Sequence, residues 1–341
     1  MKKKIIVGLL ICSFLLTGCG KYNQKTIIKY INKKIIAISG YHIEGSMEIY
    51  NGDDVYKYDV KSSYENNNYR VSLINKANNH EQIILRNDDG VYVLTPSLNK
   101  SFKFQSNWPE NSSQVYILKS IQNDINEDKN VKLEEKNGNY ILTTKLSNTN
   151  NKNLVYQKIY FDKKLNINKV EVFDENDNKQ IKMIYNSYDN KATFNNKYFS
   201  VSENMKSQLE ENKTTSKEIN NNDNSSSKVL DESIYPMYLP SGTYLSDEET
   251  VSKEDENRKI LTFSGESPFI LVEEKVNKTE EIETLPVYGE PTFLLDTIGA
   301  LSDTSVNFIS NGIEYYIASD SMTMQEILQV AQSINTLPIM K

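Results

Sequence analysis

The clearest alternation of apolar and polar side chains in this chain is the stretch Tyr41-His42-Ile43-Glu44-Gly45-Ser46-Met47-Glu48-Ile49. Its odd-numbered positions are apolar or glycine and its even-numbered positions are polar, which is the period of a β-strand with one buried face. The turn sequence Asn51-Gly52-Asp53-Asp54 follows, and a second run covers residues 55–64. Two such runs joined by a short Asn- and Gly-containing segment predict an antiparallel hairpin.

The same pattern continues toward the C-terminus. A tight turn is predicted at Asp88-Asp89-Gly90, because glycine accepts the positive φ that such a turn requires. Many strands in succession, separated by short turns, predict a long antiparallel sheet that curls into a half-open barrel. The further strands are predicted at 69–74, 82–86, 91–94, 101–105, 131–135, 140–146, 154–161, 167–173 and 179–188.

Two helices are predicted to cover one face of this sheet. In residues 24–39, isoleucines recur at helical spacing and Gly40 ends the helix. This isoleucine stripe can pack on the sheet, or the helix can lie in a membrane interface with its lysines on the headgroups. Core packing is favoured, since most stripes of this kind belong to a core. The second helix is predicted within 109–126, with Val115, Leu118, Ile121 and Ile125 on one face.

Residues 206–232 differ in composition from the rest of the chain. Ser, Thr, Asn, Lys and Glu dominate and aromatic residues are absent, which predicts a flexible linker. Residues 233–341 predict a small acidic α+β domain, whose last helix opens with a capping box of Thr323 and Glu326. Its strands are predicted at 259–264, 269–275, 306–310 and 314–318. The predicted fold is therefore mainly β, with a half-barrel over 19–205 followed by the linker and the α+β domain.

Residues 1–18 have the features of a lipoprotein signal peptide. Three lysines precede an apolar run that is too short to cross a bilayer, and Leu16-Thr17-Gly18-Cys19 supplies small residues before a cysteine. We expect cleavage before Cys19 and its modification by a diacylglyceryl group and a further acyl chain such as palmitate. Two lipid signals give stable anchoring, which predicts an extracytoplasmic protein held on the cell membrane. Cys12 leaves with the signal, so the mature chain has no disulfide.

The charge of the chain is unevenly distributed. The net charge is −7, and loss of the three signal lysines leaves 36 basic and 46 acidic residues. Residues 19–205 hold 26 basic and 22 acidic residues, whereas residues 233–341 hold 6 and 18. A basic half near the membrane suits an anionic leaflet, and an acidic half is repelled by phospholipid and nucleic acid. Ordinary solvated faces account for the same numbers. We expect no nucleic-acid partner.

No residue pattern in the sequence identifies a catalytic centre. The two histidines, His42 and His80, are interpreted as ordinary polar residues, and Ser112-Ser113 lacks the glycines of a nucleophile elbow. Asp174 to Asp177 lacks the glycine and terminal glutamate of a calcium loop, so turn chemistry explains it better. We expect a non-enzymatic protein without a cofactor or a metal.

Carboxylate pairs are too abundant to identify a site. They leave a two-carboxylate hydrolase open only in principle, because such an enzyme needs two carboxylates facing each other across a cleft. Examples are Glu134-Glu135, Glu273-Glu274 and Glu280-Glu281.

Residues 22–200 resemble the LolA-like (lipoprotein-sorting protein-like) family. The resemblance rests on the helix followed by a meander, on Asp88-Asp89-Gly90-Val91-Tyr92-Val93-Leu94-Thr95-Pro96 with Lys100, and on Lys169-Val170-Glu171-Val172-Phe173-Asp174-Glu175-Asn176 before residues 181–185. Within that family the chain is most similar to the spore-germination lipoproteins of clostridia. The resemblance implies a half-open barrel with helices in its mouth, and a non-enzymatic lipoprotein that supports a spore-cortex amidase.

The C-terminal part resembles a small domain of Gram-positive surface lipoproteins and anti-sigma-type proteins. The resemblance runs from Tyr238-Leu239-Pro240-Ser241-Gly242 through Gly312-Ile313-Glu314-Tyr315-Tyr316 to the last helix. This extra acidic domain departs from the shortest members of the germination branch.

Three functions remain open from the sequence. The first is a membrane-tethered protein that binds a protein partner, which the resemblance identifies as a cell-wall amidase. The second is a lipid or lipoprotein binding or sorting protein, which needs an accessible apolar cavity. The third is an envelope sensor or regulator. The anchor at Cys19 disfavours a carrier that shuttles, because such a carrier must leave the membrane.

Overall fold

The computed structural model describes residues 23–36, 38–106, 108, 114–147, 149–206, 230–253, 256–276 and 278–334. The signal sequence, Cys19, Ser112-Ser113 and most of the predicted linker lie outside these residues.

Helices and strands are numbered along the chain. The helices are α1 (Gln24–Ile36), α2 (Leu118–Glu127) and α3 (Met324–Gln332), and residues 201–206 are also helical. The strands are β1 (Gly40–Asn51), β2 (Asp54–Glu65), β3 (Asn68–Asn75), β4 (Glu81–Asn87), β5 (Gly90–Thr95), β6 (Lys100–Phe104), β7 (Lys132–Lys136), β8 (Asn139–Lys145), β9 (Tyr156–Phe161), β10 (Ile167–Phe173), β11 (Lys179–Asp189), β12 (Thr243–Lys253), β13 (Glu256–Gly265), β14 (Phe269–Lys275), β15 (Glu283–Val287), β16 (Glu290–Phe293), β17 (Ile298–Leu301), β18 (Ser305–Ser310) and β19 (Ile313–Ala318).

A twelve-stranded sheet forms the larger part of the molecule. Its strand order is β15-β6-β5-β4-β3-β2-β1-β11-β10-β9-β8-β7. Strands β1 to β6 pair in sequence order, as do β7 to β11, and the two runs are joined where β1 pairs with β11. Strands β15 and β7 form the two edges. The alternation in β1 places Tyr41, Ile43, Met47 and Ile49 on the buried face, as the sequence predicts. The predicted fold class, mainly β with a half-open sheet, is confirmed.

Gly45 marks an irregularity at the centre of this sheet. The register between β1 and β11 shifts at Glu44 and Gly45. A Cβ at Gly45 would lie 2.3 Å from the carbonyl oxygen of Ile184, so only glycine fits where the two strands approach. The shift adds a local bend to the sheet.

Helix α1 packs on the concave face of the large sheet. Ile27 and Ile31 are 0% and 2% exposed, and the Gln24 side chain donates to the Val131 carbonyl oxygen at 2.6 Å. Core packing of the isoleucine stripe is thus confirmed over the membrane-interface alternative. Helix α2 begins at Leu118, so the prediction that the helix extends over residues 114–117 is wrong. These residues instead insert Val115, Tyr116 and Ile117 into the core.

The second half of the chain forms a seven-stranded sheet of order β12-β13-β14-β19-β18-β17-β16, with α3 on one face. The predicted capping box is present, because Thr323 accepts from the Glu326 amide and Glu326 accepts from the Thr323 amide. Four strands of this half were not predicted, and one of them joins the other sheet. Strand β15 pairs in parallel with β6.

We expect Ile27→Ala to lower the free energy of unfolding by about 2–5 kcal/mol, because it leaves a cavity between α1 and the sheet. Urea unfolding of the purified protein measures the change. Lys29→Ala on the exposed side of the same helix is the matched control and should change stability by no more than about 0.5 kcal/mol. Equal, small effects of the two substitutions would show that α1 is not part of the core.

Candidate functional site

The concave face of the large sheet is covered for the most part by the protein's own side chains. A cleft of about 230 Å³ remains beside the two helices, lined by Ile35, Ile38, Tyr41, Tyr64, Tyr69, Leu118, Lys119 and Gln122. Helices α1 and α2 cover one part of the concave face. Trp108, 1% exposed, packs against Tyr69 of β3, and Tyr116, 2% exposed, packs against Phe293 of the C-terminal half. The C-terminal half covers another part. Its contribution to this core consists of Val287, Leu295, Ile298, Ala300 and Ile309, with Leu285 and Phe293 packed against them.

Strand β15 holds the two halves together at the edge of the large sheet. Five residues pair with β6, from Glu283 opposite Lys100 to Val287 opposite Phe104. The Lys100 ammonium, only 13% exposed, lies 3.3 Å from the Glu283 carboxylate and 3.5 Å from that of Glu314. Lys100 of β6 is thus paired both with β15 of the large sheet and with β19 of the seven-stranded sheet, and the two carboxylates offset the partial desolvation of its ammonium.

Hydrogen bonds across the centre of the same junction fix the loop between β16 and β17. The Gln82 side-chain oxygen accepts from the Ile298 amide at 2.8 Å and from the Thr297 hydroxyl at 3.1 Å. The Tyr58 hydroxyl donates to the Leu295 carbonyl oxygen. All of these groups are buried, so each bond satisfies a polar atom that would otherwise be costly to leave unpaired.

A cleft with a volume of about 150 Å³ remains where the halves meet, and we call it the seam cleft. The β1–β11 end of the large sheet, residues 149–154, the 291–295 segment and Gln332 of α3 line it. Its apolar part includes Met47, Ile49, Tyr116, Leu154, Ile181 and Phe293. Its carboxamides are Asn51, Gln114, Asn150, Asn151, Asn153, Gln180 and Gln332.

On the side of the seven-stranded sheet opposite α3, Ala300 of β17 and Ile309 of β18 pack into the core of the first half. Among the described residues no helix covers the rest of this side, on β12, β13, β14 and β19, and we call that part the outer face. Ile260, Val272 and Tyr316 stand directly opposite one another on β13, β14 and β19, and Ile270 lies beside them on β14. Ile270 and Tyr316 are each 39% exposed, and Tyr244 on the edge strand is 60% exposed. The acidic residues on this face are Asp247, Glu249, Glu274 and Glu314.

Glu273 is a buried carboxylate on the opposite face of β14. It is 0% exposed and accepts from the Ile234 amide at 3.1 and 3.0 Å. Burial raises the pKa of Glu273 to about 7, and the nearby carboxylate of Glu248 adds to the shift, while the Ile234 amide and Lys259 oppose it. The bond ties the segment that enters the second half to its sheet.

Comparison with known proteins identifies the family. The model of the YdcC-like sporulation proteins matches residues 1–199. The sporulation protein YdcC of Bacillus subtilis (strain 168) is 34% identical over 332 residues, which cover 97% of this chain and 95% of that protein. The chain belongs to the YdcC-like sporulation protein family. The relationship to sporulation proteins expected from the sequence is thereby confirmed.

Solved structures are more distant from this YdcC-like chain. The MucA/MucB complex of Pseudomonas aeruginosa has a TM-score of 0.33 at 11% identity, over 91% of this chain and 98% of that one. The LolA superfamily protein NE2245 of Nitrosomonas europaea has a TM-score of 0.30 at 12% identity, over 54% and 100%. Neither likeness is close enough to support a conclusion about ligand or partner.

The histidines of this YdcC-like protein occupy separate places. His42 lies on β1, where its ring nitrogen is 2.9 Å from the Ser63 hydroxyl and another nitrogen is 3.5 Å from Glu44. His80 lies before β4, 3.2 Å from the Ser97 hydroxyl, and burial lowers its pKa. The structure brings neither of them to the seam cleft.

The acidic residues considered in the sequence analysis do not assemble a site either. Asp174 accepts from the Asn176 and Asn178 amides, so residues 174–178 form the expected turn. Among the described residues, no cluster of histidine, cysteine and acidic side chains could hold a metal ion. In the pair Glu273-Glu274, Glu273 is buried and accepts from the Ile234 amide. Glu274, on the other face of β14, pairs with Arg258 at 2.5 Å.

Cys19 lies outside the described residues, so its modification stays a prediction. Within the part of the chain that the structure describes, no helix is long and apolar enough to cross a membrane.

We expect stability to depend on pH through Glu273. Its folded-state pKa is raised to about 7 from 4.5, so its contribution to stability is full below pH 4.5 and is lost as the pH rises through 7. The shift corresponds to about 3 kcal/mol of unfolding free energy. Glu273→Gln keeps an acceptor for the Ile234 amide but cannot ionise, so it should flatten this dependence and exceed the wild type in stability at pH 8.

Urea unfolding between pH 5 and pH 8 measures this effect. Glu274→Gln on the opposite face of β14 is the control and should keep the slope of the wild type. A Glu273→Gln variant with the same slope as the wild type would contradict the assignment.

Proposed function

We propose that this protein is a membrane-anchored, non-enzymatic lipoprotein of sporulation that binds a protein partner, and that the partner is a cell-wall amidase acting on the spore cortex. The observation that carries the proposal is the largely covered concave face. Family membership supports a role in sporulation, and the resemblance of residues 22–200 to germination lipoproteins supports the class of partner.

The largely covered concave face argues against a lipid carrier. Cavities among the described residues measure about 150, 180 and 230 Å³, whereas pockets for drug-sized ligands measure roughly 300–1,000 Å³. Emptying the concave face for an acyl chain would require removing side chains such as Trp108 and Tyr116 from the core. A surface that binds a protein requires no such rearrangement.

The outer face has the composition of a protein interface. Exposed aliphatic and aromatic side chains lie side by side, and tyrosine is enriched among residues that dominate binding energy. Of the acidic side chains around them, Glu274 pairs with Arg258 and Glu314 with Lys100. Asp247 and Glu249 on the edge strand β12 favour a partner with a basic surface, since opposite potentials steer encounter and fix orientation. We therefore place the partner on the outer face.

An anchor at Cys19 completes this proposal. With the half-barrel at 19–205, the linker at 206–232 and the acidic domain at 233–341, the basic half would lie near the anionic membrane and the outer face would belong to the half that the membrane repels. A partner could then be held near the cell membrane on its extracytoplasmic side.

We expect Ile270→Asp to weaken binding of a sporulation amidase at least about tenfold, because it places a charge in the apolar centre of the outer face. Val55→Asp on β2, where the side chain is 41% exposed, is the matched control and should bind normally. Pull-down and calorimetry with the full-length protein measure both. Absence of amidase binding, or equal binding by the Ile270→Asp variant, would contradict the proposal, as would lipid retained by the purified protein in native mass spectrometry.

We expect Cys19→Ala to abolish incorporation of labelled palmitate, because the thiol that carries the diacylglyceryl group is gone. The variant should therefore be absent from the acylated proteins of the membrane fraction. Cys12→Ala is the matched control and should remain acylated. Labelling and fractionation of cells that express each variant measure the outcome. Equal labelling of the Cys19→Ala variant and the wild type would exclude this anchor.

A further inference from the structure

The seam cleft is lined without charge. Among the residues that the structure describes, the nineteen that line the cleft include no Asp, Glu, Lys or Arg, although these types make up 25% of the chain. The carboxylates of Glu290 and Asp174 adjoin the cleft but are not among its lining residues, and they already accept from Asn150 and Gln180. A charged ligand would therefore exchange its hydration for contacts with neutral groups, which is expensive. The lining therefore favours a neutral ligand.

The carboxamides of the cleft are held in position by neighbours. Asn150 donates to the Glu290 carboxylate at 3.0 Å, and Gln180 donates to the Asp174 carboxylate at 3.1 Å. Asn151 accepts from the Asn153 amide at 3.0 Å. A carboxamide has two donor hydrogens and an oxygen with two lone pairs, so one such bond leaves capacity for a ligand. Fixing the groups in advance lowers the entropy lost on binding.

The apolar part of the cleft is aromatic as well as aliphatic. Tyr116 and Phe293 meet edge to face with ring centres 5.9 Å apart, and Met47 lies beside them in the lining. A ligand that fits must therefore present an apolar surface to these rings and hydrogen-bonding groups to the carboxamides. Sugar rings have this division, with carbon-bound hydrogens on the ring faces and hydroxyl groups around the edge.

We propose that the seam cleft binds a neutral saccharide of the N-acetylhexosamine class. The acetamido group of such a sugar has one donor and one acceptor, and a carboxamide complements both. The cleft opens to solvent, and its volume of about 150 Å³ takes up part of one sugar, such as the acetamido group and one face of the ring, with the rest of the saccharide in solvent. An extended peptide would pair with a sheet edge or fill a longer groove, and the cleft provides neither. This site is separate from the outer face.

Calorimetric titration of the full-length protein with chitotriose, the neutral trimer of N-acetylglucosamine, tests the proposal. Binding of chitotriose is expected, and the de-N-acetylated trimer, which is cationic, should bind at least about tenfold more weakly because the lining offers no counter-charge. Equal affinity for the two trimers, or no heat with chitotriose at millimolar concentrations, would overturn the proposal. Binding of a neutral peptide in place of the sugar would also overturn it.

Two kinds of variant locate the site. Thr292→Trp fills the cleft and should abolish chitotriose binding, while Asn51→Asp replaces one carboxamide by a charge and should weaken it about tenfold. Asn139→Asp, on β8 and outside the cleft lining, is the matched control and should bind as the wild type does. Far-ultraviolet circular dichroism confirms that each variant is folded. Unchanged binding by a folded Thr292→Trp variant would show that the sugar binds elsewhere.

Discussion

The parallel pairing of β15 with β6 determines how the two halves of the molecule meet. An unpaired edge of a large sheet offers its amides and carbonyls to any other strand, and β15 occupies this one. The chain that follows β15 then passes over the concave face and places Phe293, Leu295 and Ile298 in the core of the first half. One crossing thus covers an edge, completes a core and creates the seam cleft.

Local patterns explain why the large sheet could be predicted so fully. Most of the strands β1–β11 alternate over their own length, whereas β4 and β5 are continuous buried runs. Most are joined by short turns, so the pattern of a few residues indicates both the strand and its neighbour. Helix α1 was predictable for the same reason, because its isoleucines recur at helical spacing within a short segment. In the folded protein this stripe packs on the apolar face of the sheet. The start of α2 was not predictable, because a short apolar run such as residues 115–117 fits a helix and an extended segment equally well.

Longer-range constraints explain the strands and the cleft that sequence reasoning missed. Strand β15 contains Pro286, which indicates a break in a strand but is tolerated at an edge. Strand β12 is an edge strand with three consecutive acidic residues and shows no alternation. The cleft combines segments near residues 50, 115, 150 and 292. Its Asn-rich stretch at 150–153 has the composition of an ordinary turn, so no local signal identifies it.

The largely covered concave face also constrains how this protein could respond to a ligand. To expose the face, α1 would have to move away from the sheet and bring Ile27 and Ile31 into water. Burial of such a side chain contributes roughly 1.5–3 kcal/mol, so two of them represent a large part of a typical stability of about 5–15 kcal/mol. A carrier that opened in this way would lose a large part of its folding stability in each transfer. Binding at the outer face and in the seam cleft leaves the core intact, which is the behaviour that a receptor fixed to a membrane requires.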